Sequence, residues 1–198
     1  MSNVIYLTGA PATGKSTLTA GMQAAIPELE VFAYSQVLRT YIAHRLAQEH
    51  LSEDEIRAKS ADIVSREDVK AVDELLMNRV ANVRDLKPIV IDSHAVTKES
   101  FGFRVTPFEL ADLRQLNPDV ILCLYLDSKA IAERISSNPM GRPMPSLFEL
   151  DMHCFVQSTL AVQYGVALGK PTYLVDSSIA KDELVRVVLQ RCKLSKTS

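Results

Sequence analysis

The chain has 198 residues, 47% hydrophobic and 23% charged, with 22 basic and 24 acidic side chains and a formal net charge of −2. This length fits one domain with a substantial core, and the near-balance of charge gives no reason to expect nucleic acid as a partner. No apolar run approaches the roughly 20 residues needed to span a bilayer, so no membrane association is expected.

Val4–Leu7 is a short apolar run closed by Thr8-Gly9 and reads as a buried strand. A helix is expected from about Ser16 to Ala25, stopped near Pro27. Glu30–Tyr34 is a candidate second strand, after which Ser35 is placed to cap a helix through Leu38, Ile42 and Leu46. Ser52 and Glu55 have capping-box spacing and predict a short helix. The clearest helix runs from about Ser65 to Val83, where Val69, Val72, Leu76, Val80 and Val83 form one apolar stripe.

Pro88–Asp92 reads as another buried strand, closed by a carboxylate. Thr106-Pro107-Phe108-Glu109 combines a capping box with a proline at the first helical position, predicting a helix that ends at Asn117-Pro118. Val120–Leu126 is the strongest strand, closing at Asp127, which caps the helix that follows from Ser128 to about Ile135. The segment from Asn138 to Pro145 is too rich in Gly and Pro for regular structure. Ser146 and Glu149 form a capping box for a helix to Leu168, with Gly169 past its end. Thr172–Asp176 and Asp182–Gln190 are the last strand and helix. Apolar strands alternating with helices mean an α/β domain, its parallel sheet covered on both faces.

Cys123, Cys154 and Cys192 have neither paired nor metal-binding spacing, and no secretory-type leader opens the sequence. Reduced thiols in a cytoplasmic protein are the expectation. Cys123, in an apolar run, reads as a core residue.

One motif carries chemistry. Gly9-Ala10-Pro11-Ala12-Thr13-Gly14-Lys15-Ser16-Thr17 matches GxxxxGK[ST] between a predicted strand and a predicted helix. The glycines let successive N–H groups turn inward toward phosphate oxygens, and the helix adds its positive end. Lys15 reaches the β- and γ-phosphates of a bound nucleoside triphosphate, and the Ser16 hydroxyl ligates Mg2+. A chance match in a chain of this length is on the order of one in a hundred. Neither an NKxD guanine-reading motif nor an LSGGQ signature is present, which turns the reading from GTPase or transporter toward a small kinase. Asp92, at a strand end, is the candidate acid that orients the metal. Arg134 and Arg142 flank the Gly/Pro segment as a closing lid requires, and are candidates to stabilise charge on the moving phosphoryl group.

The phosphate loop, Ile91-Asp92-Ser93-His94-Ala95-Val96 and Leu116-Asn117-Pro118-Asp119-Val120-Ile121 together resemble the archaeal-type adenylate kinases, in order over nearly the whole chain. The middle segment is the most specific of the three. The resemblance implies a single P-loop NTPase domain over 1–198. It would be built on a five-stranded parallel sheet flanked by helices, with a helical acceptor-binding insertion at about 35–84 and a short lid at about 136–146. It implies ATP with Mg2+ as donor and a nucleoside monophosphate, AMP foremost, as acceptor. Arg57 matches the arginine turned toward the acceptor phosphate, Tyr34 falls in the segment leading into that pocket, Asp92 matches the acid near the metal, and His94 lines the site. Some members form homo-oligomers. Two departures stand out: Ser35-Gln36 replaces the usual Gly-Asp, and the lid holds fewer arginines. A kinase of another small metabolite on the same fold, or a nucleotide-binding regulatory module, are the alternatives.

Overall fold

The computed structural model describes residues 4–46, 63–137 and 144–194. Five strands, β1 (Val4–Gly9), β2 (Glu30–Ala33), β3 (Ile89–Asp92), β6 (Val120–Tyr125) and β7 (Thr172–Asp176), form one parallel sheet in the order β2-β3-β1-β6-β7. The first strand lies at the centre, paired with β3 on one side and β6 on the other. Seven helices accompany it among the described residues: α1 (Lys15–Ala25), α2 (Tyr34–Arg45), α3 (Arg66–Val83), α4 (Leu110–Leu116), α5 (Ser128–Ser137), α6 (Leu147–Leu168) and α7 (Lys181–Arg191). This is the expected five-stranded, helix-flanked α/β fold.

The continuous apolar character of the strands follows from burial on both faces. Successive side chains point to opposite sides of a strand, and the core divides accordingly. Val4, Tyr6, Ile89, Ile91, Ile121 and Cys123 pack with α3, α4 and α6. Ile5, Leu7, Val90, Leu122 and Leu124 pack with α1 and α7. Cys123 is fully buried, as its apolar run predicts, and all three cysteines are free thiols.

Helix ends are set by local chemistry. Ser65 and Asp68 make a reciprocal capping box at α3, and Ser146 and Glu149 make another at α6. Past α6, Gly169 takes the left-handed conformation at φ 63°, which a residue with a Cβ adopts only under strain. Asp127 Oδ1 accepts from the amides of Lys129 (2.9 Å) and Ala130 (3.4 Å), the capping role its position suggests.

The structure corrects the reading of 93–109. Val96–Glu99 (β4) and Gly102–Val105 (β5) form an antiparallel hairpin outside the main sheet. Thr106 does not open a helix. Its amide donates to the Ala95 carbonyl at 2.7 Å, closing the hairpin, and the Phe108 amide is taken by the Tyr164 hydroxyl at 2.9 Å. Helix α4 therefore begins only at Leu110, after Glu109. Likewise α2 starts at Tyr34, directly on the end of β2, so Ser35 lies inside the helix rather than capping it. The helix predicted from Ser52 lies outside the described residues. No helix among the described residues is long and apolar enough to cross a membrane.

Helix α6 crosses β7 closely at Gly165. A Cβ there would stand 1.9 Å from Thr172 Oγ1 and 3.2 Å from the Lys170 carbonyl. Gly165→Ala should therefore destabilise the fold by about 1–3 kcal/mol through overpacking. It should appear as a lower urea midpoint with an unchanged slope, and an unshifted midpoint would show that the contact is loose.

Candidate active site

The carboxyl ends of β1 and β3 face a crevice where connections leave the central strand in opposite directions, the usual ligand position in such sheets. The turn leaving β1 is shaped by three left-handed or otherwise positive φ values: Gly9 at 151°, Ala12 at 63° and Gly14 at 96°. A Cβ on Gly9 would lie 2.7 Å from the Leu124 carbonyl and 2.9 Å from Thr13 Oγ1, so only glycine fits between the turn and β6. Fully buried Thr13 braces the turn from within, its hydroxyl donating to the Ala10 carbonyl at 2.7 Å.

Helix α1 then begins at Lys15 with Gly14 at its N-cap, no side-chain cap and no acidic residue in its first turn. The first-turn N–H groups of a helix have no acceptor within it. Here they open into a cavity of about 600 Å³ lined by the turn, Lys15, Ser16, Thr17 and Asp92. An uncapped, positive helix end next to an ammonium group is built to take an anion. The Lys15 Nζ donates to the Gly9 carbonyl at 3.1 Å and stands 4.0 Å from Asp92 Oδ1, arching over the turn. Burial raises the Asp92 pKa above its ordinary value while Lys15 draws it down.

Arg134 reaches the same cavity from α5. Its guanidinium donates to the Ala12 carbonyl at 3.1 Å and the Ser177 carbonyl at 3.2 Å, tying the turn to the segment after β7. Arg57 and Arg142 lie outside the described residues, as does most of the expected lid.

A second cavity, of about 190 Å³, adjoins the first. Ser35 and His94 line both, so the two spaces meet beside Asp92. Tyr34 lines the second, its hydroxyl 2.7 Å from Asp73 Oδ1 and 3.2 Å from the Val69 carbonyl. Three further lining residues carry no sequence signal: Arg39 on α2, Asp73 on α3 and Arg104 on the hairpin. Arg104 Nε lies 3.1 Å from Glu99 Oε1. Asp73 is pushed up to about 6 by burial, which the Tyr34 hydrogen bond opposes and the charges of Asp112 and Glu109 reinforce.

A parallel sheet with a phosphate-binding turn after its central strand defines the P-loop class of nucleotide-binding proteins. The model of the AAA domain family matches residues 8–149, and the chain belongs to that family. The adenylate kinase of Pyrobaculum aerophilum is 28% identical over 151 residues, covering 75% of this chain and 72% of the relative. That of Methanocaldococcus jannaschii is 25% identical over 200 residues, covering 94% and 98%. Among solved structures, shikimate kinase from Acinetobacter baumannii in complex with shikimate superposes with a TM-score of 0.60 at 13% identity, covering 100% and 97%. The resemblance to archaeal adenylate kinases thus extends across the chain, and the fold is that of P-loop kinases.

Two outcomes test the geometry. Gly9→Ala should abolish the shift in melting temperature that ATP produces in the parent protein, and a retained shift would show that the turn tolerates a Cβ. The raised Asp73 pKa means that, between about pH 4 and 6, the folded state keeps a proton that the unfolded chain has released. Stability contributed by this group therefore falls as pH rises through that window. Asp73→Asn should remove that part of the slope in urea midpoints measured from pH 4 to 7. Parallel pH profiles for the two proteins would contradict it.

Proposed function

We infer that the protein transfers a phosphoryl group from ATP to a nucleoside monophosphate, with AMP the foremost acceptor. The observation that carries this is the junction of two cavities at Ser35 and His94, one entered by the uncapped end of α1 and the other lined by Arg39 and Arg104. A donor triphosphate in the first and an acceptor phosphate in the second meet beside Asp92 and Lys15. The likeness to archaeal adenylate kinases supports the same assignment of donor and acceptor.

Phosphoryl transfer needs little covalent help, so the protein's part is positioning and neutralisation. Main-chain amides of the Gly9–Thr17 turn hold the β- and γ-phosphates, and Lys15 follows the negative charge on the moving group. Arg39 and Arg104 place the acceptor phosphate, a task the resemblance also gives to Arg57. His94 stands at the point of transfer. Arg134 and Arg142 close from the lid side. Arg134 either holds the turn in shape through the Ala12 and Ser177 carbonyls or exchanges those bonds for phosphate oxygens.

The residues fit Mg2+. Among the described residues no cluster of three or more His, Cys, Asp or Glu side chains forms a cage for a metal. Mg2+ asks for less, being held by one or two protein oxygens with substrate phosphates and water. The Ser16 hydroxyl and Asp92 carboxylate, on one wall of the cavity, supply those oxygens. Held there by Ser16 and Asp92, the ion would supply positive charge to offset that on the transferring phosphates.

Purified protein should form ADP from ATP and AMP. Lys15→Ala should lower kcat by about 10²–10³-fold or more without a matching loss of folding stability. A panel of AMP, CMP, UMP, GMP, deoxynucleoside monophosphates and non-nucleotide alcohols tests the acceptor. If every mononucleotide gave only background ADP, the inference would be abandoned, and turnover with an alcohol alone would redirect it to a metabolite kinase.

A further inference from the structure

Within the second cavity the charged groups are of opposite sign. Arg39 and Arg104 are the cationic members, while Asp73 is set among Tyr34, Val69 and Phe108. The Asp73 carboxyl is held rather than mobile, because Oδ1 lies 2.7 Å from the Tyr34 hydroxyl. The Tyr34 ring meets Phe108 edge-on, centroids 6.1 Å apart at 87°, and Phe108 in turn meets buried Tyr6 at 6.1 Å. Among the described residues, Asp73 Oδ2 accepts no hydrogen bond. Asp73 Oδ2 is not among the buried atoms that lack a partner, so water can reach it, and a ligand N–H can take that water's place. A phosphate has no such hydrogen to offer and would be repelled by the carboxylate, so Asp73 faces a different part of the acceptor.

We propose that Asp73 reads the acceptor's base, accepting a hydrogen bond at Oδ2 from an exocyclic amino group and thereby selecting amino bases over their keto counterparts. The proposal rests on the phosphoryl-transfer reading above and adds to it a specificity-determining residue. Tyr34 is the positioning partner that fixes the carboxyl, and the Tyr34–Phe108 pair forms the apolar wall beside the ring. A keto oxygen in place of the amino group would set two acceptors against each other. AMP is therefore preferred to IMP, and CMP to UMP, because each pair differs at the group that would meet Asp73.

The test is kcat/KM for AMP, IMP, CMP and UMP with saturating ATP, for the parent protein and for Asp73→Asn and Tyr34→Phe. The parent should favour each amino acceptor over its keto counterpart by on the order of 10–100-fold. Asp73→Asn, whose amide both donates and accepts, should cut that ratio by about 10-fold, chiefly through KM for the amino acceptor and with an unchanged Kd for ATP. Tyr34→Phe keeps the carboxyl and loosens it, so a smaller fall in the same ratio is expected. A purely structural role would lower turnover with all four acceptors alike and leave the ratio standing. If no mononucleotide is phosphorylated, the phosphoryl-transfer reading falls and this proposal with it. If AMP is phosphorylated but IMP serves equally well, or if Asp73→Asn leaves the AMP/IMP ratio as it was, base reading by Asp73 alone is overturned.

Discussion

The uncapped amino end of α1 is the constraint on which the rest of the structure depends. The first amides of α3 and α6 are satisfied by Ser65 and Ser146, whereas α1, like α2, α4 and α7, has no side-chain cap, and of these α1 is the one whose first turn faces the larger cavity. Helix α1 has Gly14 at its N-cap, which has no side chain to offer, and carries no carboxylate in its first turn. As a cap, Ser or Asp would improve on glycine here by only roughly a few tenths of a kcal/mol and would be strained at φ 96°. The turn also carries positive φ values at Gly9 and Ala12. A loop at such a cost needs a rigid support. It has one in β1, the central strand of the sheet, paired with β3 on one side and β6 on the other, whose Val4, Ile5 and Leu7 are fully buried.

The same strand ends place the second cavity. Strand β3 runs beside β1 in register, pairing Leu7 with Asp92, so the acid arrives level with the start of the phosphate turn. Beyond Asp92 the chain leaves the sheet through Ser93, whose amide still donates to the Leu7 carbonyl at 3.0 Å, and His94 emerges between the two cavities. Helix α2 begins without a linker at the end of β2, which brings Tyr34, Ser35, Leu38 and Arg39 to the same edge. The second cavity is therefore a consequence of strand ends converging, with the β4–β5 hairpin closing its far side.

Much of this was legible from residue order because the signals are local. The phosphate turn is contiguous, the buried strands are continuous apolar runs, and the Ser146 capping box lies within four residues. The hairpin was not legible. Val96–Glu99 and Gly102–Val105 are four residues each and carry Lys98, Glu99 and Arg104, so neither has a strand's pattern, and their stability comes from pairing and from α6. Buried Gln157 accepts from the Val96 amide at 3.2 Å, and His153 Nε2 lies 3.0 Å from the Val96 carbonyl. Thr106-Pro107 misled for the reverse reason: its capping-box pattern is sound locally but loses to the hydrogen bond that completes the hairpin. Arg39, Asp73 and Arg104 were invisible because each lies on a different element, and only the fold brings them to one cavity.

Asp73 shows why a site's specificity is harder to read from sequence than its chemistry. Phosphate binding uses main-chain amides and one lysine, so a short motif encodes it whole. Base recognition uses one side chain per edge of the ring, and any element that reaches the cavity can supply it. On α3, Asp73 occupies a position that helical periodicity assigns to the flank of the apolar stripe, next to Val72, where a solvated carboxylate is the ordinary expectation. Its setting comes from Tyr34, 39 residues earlier, whose hydroxyl donates to one of its oxygens, both residues lining the second cavity. The departure from Gly-Asp to Ser35-Gln36 falls immediately after this tyrosine. That serine sits inside the first turn of α2 and lines both cavities, so the departure falls where they meet. The phosphate turn is thus written in one contiguous stretch of chain, while the second cavity is assembled from residues on separate elements.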